Sequence, residues 1–306
     1  NSTTAMKIAF SSGNLTSGPV IHHENWHFIE VPSQAYFAQV HRCVMQAEVD
    51  EVVGRDRAKY MEYIRQCRAK ITAPEEEDIK AFFVPGEGER GQDWETKLPF
   101  DNGSGRKTAW DFMRDGDGVN PGIRGADQIL IGCHRFFYSR MINALHEKMN
   151  ATGSKVDMRI MADDDTYYKG VDPNFGSGDT DPAEWTNMEE LQNRGAGVRF
   201  VESNADEHQL HHSKYLIFGK KNAASGKFDS KAVFCGAANL TGAGFRKNWE
   251  NVYYITIPKV VQTFRDHYEY MWNRVATSVE NLPKPQQGGG VQGGLLSDIL
   301  VPKVPM

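Results

Sequence analysis

Apolar residues along this chain fall in short dense runs separated by longer segments of mixed polarity. In the central and C-terminal part, Asp127–His134 (DQILIGCH) predicts a buried strand, followed by an amphipathic helix around Ser139–Met149. Val156–Met161 predicts a second strand, and Pro182–Arg194 a helix ended by Gly195 and Gly197. Four strands then follow, at Val198–Val201, His212–Phe218, Ala232–Asn239 and Asn251–Ile257. Val260–Val275 closes the unit as a helix carrying aromatic side chains. Upstream, Asp56–Ile71 reads as a helix and Ile79–Val84 as a strand, while the Gly- and charge-rich stretch Gly86–Lys107 has no periodicity that assigns it. Such alternation predicts an α/β sandwich around a mostly buried sheet.

An internal repeat is the more specific signal. One copy reads KIAFSSGNLTSGPVIHHENWHFIEVP near the N-terminus, and the other AVFCGAANLTGAGFRKNWENVYYITIP near the C-terminus. Each has an apolar strand, small residues and Asn-Leu-Thr, at Asn14–Thr16 and Asn239–Thr241. A Gly-containing turn then leads to Glu-Asn (Glu24-Asn25, Glu250-Asn251), an aromatic strand and a proline, Pro32 or Pro258. The pattern divides the chain into a partial first copy over 1–48, a connecting region over 49–126 and a complete second copy over 127–281. A Pro/Gly/Gln-rich tail over 282–306 reads as a flexible arm or a strap.

Composition narrows the function classes. Lys+Arg total 35 against 40 Asp+Glu, a net charge of -5, which argues against a protein that grips duplex DNA along its length but leaves room for a local basic cleft. No apolar run approaches the roughly 20 residues that cross a bilayer. The four cysteines form no CxxC pair, which argues against a zinc site, and an even number permits two disulfides. They lean the reading slightly towards an oxidising compartment, secreted or periplasmic rather than cytoplasmic.

The candidate chemistry centres on LHHSKYLIFG, Leu210–Gly219. His212 and Lys214 alternate on one face of the expected strand, and Asn239 and Glu250 follow at later strand ends. Phosphodiester cleavage needs a nucleophile, a proton donor for the leaving oxygen, and cationic or N–H groups around the non-bridging oxygens. A neutral imidazole can attack phosphorus to form a phosphohistidine, and a second imidazolium can protonate the leaving alcohol. Lys214 offers a compact positive charge, Asn239 a side-chain amide for a phosphate oxygen, and Glu250 a carboxylate to orient the His212 ring. This chemistry calls for no metal and no cofactor.

His-x-Lys, then a small–small–x-Asn turn, then a Glu resembles the phospholipase D superfamily, over 127–274 and again over 7–48. The resemblance implies α-β-α sandwiches around mixed sheets in two pseudo-symmetric halves, the N-terminal one incomplete. In such proteins two halves face each other and each contributes a histidine. It makes Asn14 and Glu24 the partner half's counterparts of Asn239 and Glu250, and it implies an upstream polypeptide segment carrying a second His-x-Lys. A homodimer pairing two copies of His212 is the alternative. Two positions depart from the pattern: Gly219 stands where the motif has Asp, and Ala237 where the turn has Ser.

The expected function is a phosphodiesterase of the phospholipase D type acting on a phospholipid head group. The alternatives are a nuclease of the same superfamily, with Lys220, Lys221, Lys227, Arg246 and Lys247 as backbone contacts, and a non-catalytic scaffold. Trp249, directly before Glu250, is the aromatic expected to reach substrate. Other histidines have plainer readings: His211 faces away from His212 as a packed residue, His208, His211 and His212 share no face for a metal, and His22 and His23 read as solvated loop residues in preference to a lining of the cleft mouth. Asp163–Asp165 lack the spacing of a calcium loop and read as an acidic surface loop.

Overall fold

The computed structural model describes residues 4–13, 22–50, 56–91, 105–151, 155–172, 174–175, 181–203 and 210–282. Asn14, His208, the core of the Gly86–Lys107 stretch and the tail after 282 lie outside them. The elements in chain order are β1 (Ala5–Ser11), β2 (Trp26–Pro32), α1 (Tyr36–Asp50), α2 (Arg57–Ala69), β3 (Ile79–Val84), α3 (Ala109–Asp115), β4 (Gln128–Cys133), β5 (Phe136–Phe137), α4 (Ser139–Asn150) and β6 (Asp157–Asp163). After them come α5 (Asp164–Val171), α6 (Ala183–Asn193), β7 (Gly197–Val201), β8 (Lys214–Lys221), β9 (Phe228–Gly236), β10 (Leu240–Thr241), α7 (Gly242–Arg246), β11 (Glu250–Ile255), α8 (Pro258–Arg274) and β12 (Thr277–Ser278).

A mixed sheet in the order β12-β7-β6-β4-β8-β9-β11-β3 forms the centre of the fold. β4, β6 and β7 run parallel through helical crossovers, whereas β8 turns back antiparallel on β4 and β9 and β11 continue as antiparallel neighbours. All six residues of β4 are buried, so alternate side chains feed two cores. Ile129 and Ile131 join Leu216, Phe234 and Tyr254 beneath α3, α4 and α6, while Leu130 joins Tyr215, Ile217, Tyr253 and Phe264 beneath α1, α2 and α8. The α/β sandwich expected from the alternation is therefore present, with helices on both faces of one mixed sheet.

The stretch between the two copies does more than connect them. β3 is the terminal strand of the large sheet, paired antiparallel with β11 from Ile79↔Ile255 to Val84↔Glu250. α2 begins at Asp56, whose side chain accepts from the Lys59 amide, and α3 begins at a capping box between Thr108 and Asp111. A disulfide between Cys43 of α1 and Cys67 of α2 ties these helices together, and Cys133 and Cys235 are buried free thiols. No helix among the described residues is long and apolar enough to cross a membrane.

The first copy contributes a separate antiparallel pair, β1 with β2, in register from Ala5↔Pro32 to Ser11↔Trp26. Phe10 and Phe37 seat this pair in the second core, where Phe10 stacks on Tyr253 at 3.8 Å between ring centroids.

Candidate active site

One short backbone pairing assembles the site. The segment just ahead of β2 runs parallel to the approach of β8, with His23 opposite His211. The His23 amide donates to Leu210 O at 2.9 Å, and Ser213 Oγ donates to His23 O at 3.2 Å. That register sets residue 24 beside residue 212. Glu24 Oε1 lies 2.6 Å from His212 Nδ1, and Ser12 Oγ donates to Glu24 Oε2 at 2.5 Å. With Nδ1 donating to the carboxylate, Nε2 of His212 carries the free lone pair. His212 sits just ahead of β8 rather than within it, so its ring is held by these contacts and not by the sheet.

Lys214 is 3% exposed and reaches into the same junction, donating to His212 O at 2.6 Å and Ser12 O at 3.3 Å. Burial lowers its pKa to about 8, against the pull of Glu24 and Glu250. Burial pushes the Glu24 carboxyl up, but hydrogen bonds from His212 and Ser12 outweigh it and hold the group below the usual range.

The carboxylate on the His212 ring is thus Glu24, from the other copy, and not Glu250. Glu250 accepts from Asn248 Nδ2 at 3.1 Å, and burial raises its pKa despite that bond and the Lys214 charge. The repeat explains the contrast. Two positions before the asparagine, the first copy has Ser12, whose hydroxyl serves Glu24, while the second has Ala237, which offers Glu250 no hydroxyl. Trp249 packs edge-on against Tyr60 with the Arg57 guanidinium 5.7 Å from its ring centre. It shares with Glu250 the lining of a cavity of about 360 Å³. Asn239 borders another cavity, of about 970 Å³, with Arg135, Lys169 and Arg246, and its Oδ1 is buried without a hydrogen-bond partner. Gly219 falls at a shift of register between β8 and β9, opposite Gln128 of β4.

Three groups near His212 had no catalytic role assigned from the sequence. His134, at the end of β4, has its ring 4.9 Å from that of His212, and burial, then the His212 charge, holds its pKa well below the ordinary value. His22, expected as a solvated loop residue, is half-buried 5.7 Å from the His212 ring. Asp163 corrects the expected acidic surface loop: it is fully buried, caps α5, and accepts the His211 amide at 2.8 Å. Burial, with Asp165 and Asp164 nearby, raises its pKa well above the carboxylate range. His211 is packed as expected, and burial lowers its pKa to about 3.

The family model described as a cardiolipin synthase, phospholipase D-like domain matches residues 123–272. Phosphatidylserine synthase of Haemophilus influenzae is similar in fold with a TM-score of 0.53 at 10% identity, over 90% of this chain and 61% of that one. Nuc of Salmonella typhimurium, a phospholipase D family member, aligns at 19% identity over 65% of this chain and 96% of that one, with a TM-score of 0.42. NucT of Helicobacter pylori aligns at 14% identity over 65% and 98%, with a TM-score of 0.43. No curated protein sequence matches the chain. Residues 123–272 form a phospholipase D-like domain, and the mixed sheet with helices on both faces is the fold shared with the phosphatidylserine synthase structure.

Proposed function

We propose that this protein is a phosphodiesterase of the phospholipase D type that hydrolyses a phospholipid head-group ester through a phosphohistidine, without metal. The observation that carries the reading is the 2.6 Å contact from His212 Nδ1 to Glu24, which leaves Nε2 as the nucleophile. In the first step Nε2 attacks phosphorus, the P–N bond forms, and the head-group oxygen leaves with a proton from a second imidazolium. In the second step water gives a proton to the second imidazole and attacks phosphorus, and the P–N bond breaks, giving the phosphatidic acid, free His212 and the regenerated imidazolium. Lys214, with Asn239 and Asn14 as amide donors, would balance the charge on the non-bridging oxygens.

The second imidazole would come from an upstream His-x-Lys strand laid beside β1, as β8 lies beside β9. Glu250 would then serve that ring as Glu24 serves His212, each copy orienting the other's histidine. A lipid substrate is favoured by a cavity of about 800 Å³ that begins at Glu24 and Asn25 and continues past Trp26, Phe28, Val260 and Phe264. The nuclease reading has the cavity at Asn239 in its favour. There, however, Arg135 is bonded to Glu184 and Arg246 lies 3.3 Å from Glu89, so much of the local charge is already neutralised.

The test offers phospholipid vesicles and single-stranded oligonucleotides side by side, with Lys214→Ala as control and intact mass to establish which His-x-Lys strands are present. Head-group release that disappears in Lys214→Ala supports the reading. Oligonucleotide cleavage alone would favour the nuclease. Neither activity, in material holding two His-x-Lys strands, would leave the scaffold.

A further inference from the structure

Three donor atoms converge beside the nucleophile. His22 Nδ1 lies 3.9 Å and His212 Nδ1 2.6 Å from the same Glu24 oxygen, and one ligand atom from each residue lies within 4.8 Å of the other two. Two imidazoles and a carboxylate make a donor set that zinc accepts, with water as the fourth ligand. Zinc bonds of roughly 2.05 Å at tetrahedral angles set neighbouring donors roughly 3.3 Å apart. That spacing lies between the two distances found here, so side-chain rotations would close the site. Glu24 is already oriented by Ser12 through its other oxygen, as the outer-shell partner of a metal carboxylate is. The His22 side chain keeps 23% exposure and gives an ion a way in.

We propose that His22, Glu24 and His212 form an inhibitory site for a transition-metal dication such as Zn²⁺. The metal takes the Nδ1 lone pair of His212, and the proton that Nδ1 carried moves through solvent to Nε2. The ring stays neutral, but its lone pair for phosphorus is gone. Ion binding stands on the cluster alone; the inhibition rests on the function proposed above. His22 needs no part in hydrolysis on this account, and it acts only as the ligand that makes the site strong enough to fill.

Co²⁺ titration of the full chain, followed by the visible bands of tetrahedral cobalt and by competition with Zn²⁺, tests the site directly. One ion per chain is expected, with affinity falling roughly tenfold or more in His22→Ala and in Glu24→Gln. Binding unchanged in both variants would overturn the site. In the vesicle assay, Zn²⁺ should slow the wild-type chain reversibly, with recovery on chelation, and should leave His22→Ala unaffected. Equal inhibition of both, or none of the wild type at saturating zinc, would overturn the inhibitory role. If no diester is hydrolysed, the proposed function fails while the cobalt titration still decides the site.

Discussion

Glu24 and His212 are separated by 188 residues and meet at 2.6 Å, one from each copy of the repeat. The pair couples the tautomer of His212 to a residue outside its own half. Glu24→Ala should therefore leave the sheet intact and lower kcat by about 10²–10⁴-fold, the range for loss of an orienting carboxylate. The melting temperature should move little. A variant retaining wild-type kcat would remove Glu24 from the mechanism.

Lys214 gives a pH signature with two opposite trends. Its pKa of about 8 means that the charge, and with it hydrolysis, falls as pH rises through that value. Stability runs the other way. Between pH 8 and the unfolded value near 10.4, the unfolded chain holds the proton that the folded chain has lost, so stability rises with pH by at most about 3 kcal/mol from this residue. Denaturant melts of wild type and Lys214→Met across this window should show the wild type gaining stability relative to the variant towards alkaline pH. A constant gap would contradict the buried, shifted lysine.

The Cys43–Cys67 bridge closes a loop with a sequence separation of 24 between α1 and α2. Chain-entropy arguments assign such a loop about 3 kcal/mol. Replacing both residues by Ala should lower the melting temperature by several degrees while leaving kcat at 25 °C unchanged, because neither helix carries a proposed catalytic group. Loss of activity in the folded double variant would mean that these helices also shape the site.

The strands of the large sheet were legible because buried parallel strands are nearly continuous apolar runs, as in DQILIGCH. The helices flanking them were legible from spacing and from end signals such as Gly195 and Gly197. β5, β10 and β12 were not, since two-residue bridges have no periodicity. β3 was seen as a strand, but its place at the sheet edge is a long-range pairing with β11 that no local pattern encodes. At the site, His212, Lys214 and Glu24 were legible as residues, and the structure brings both Glu24 and Lys214 into contact with His212. Their partnership was not: chain order suggested Glu250 for His212, whereas the His23–His211 pairing brings Glu24. His134 ended a strand already recognised, and only the antiparallel return of β8 beside β4 turns it towards His212. Asp163 looked like surface because three successive acids usually are. Its burial follows from a position at the end of an inner strand.

The same isolated pairing makes readiness for reaction a local property. Glu24 is delivered to His212 by a two-residue bridge whose backbone bond, His23 N to Leu210 O, belongs to neither sheet. Such a contact can open without unfolding anything else. If it opens, the Glu24–His212 contact goes with it while both sheets keep their pairing, so the alignment of the His212 ring is set at this junction and not by the stability of the core. Solvent exchange of the His23 amide proton would count the aligned fraction directly.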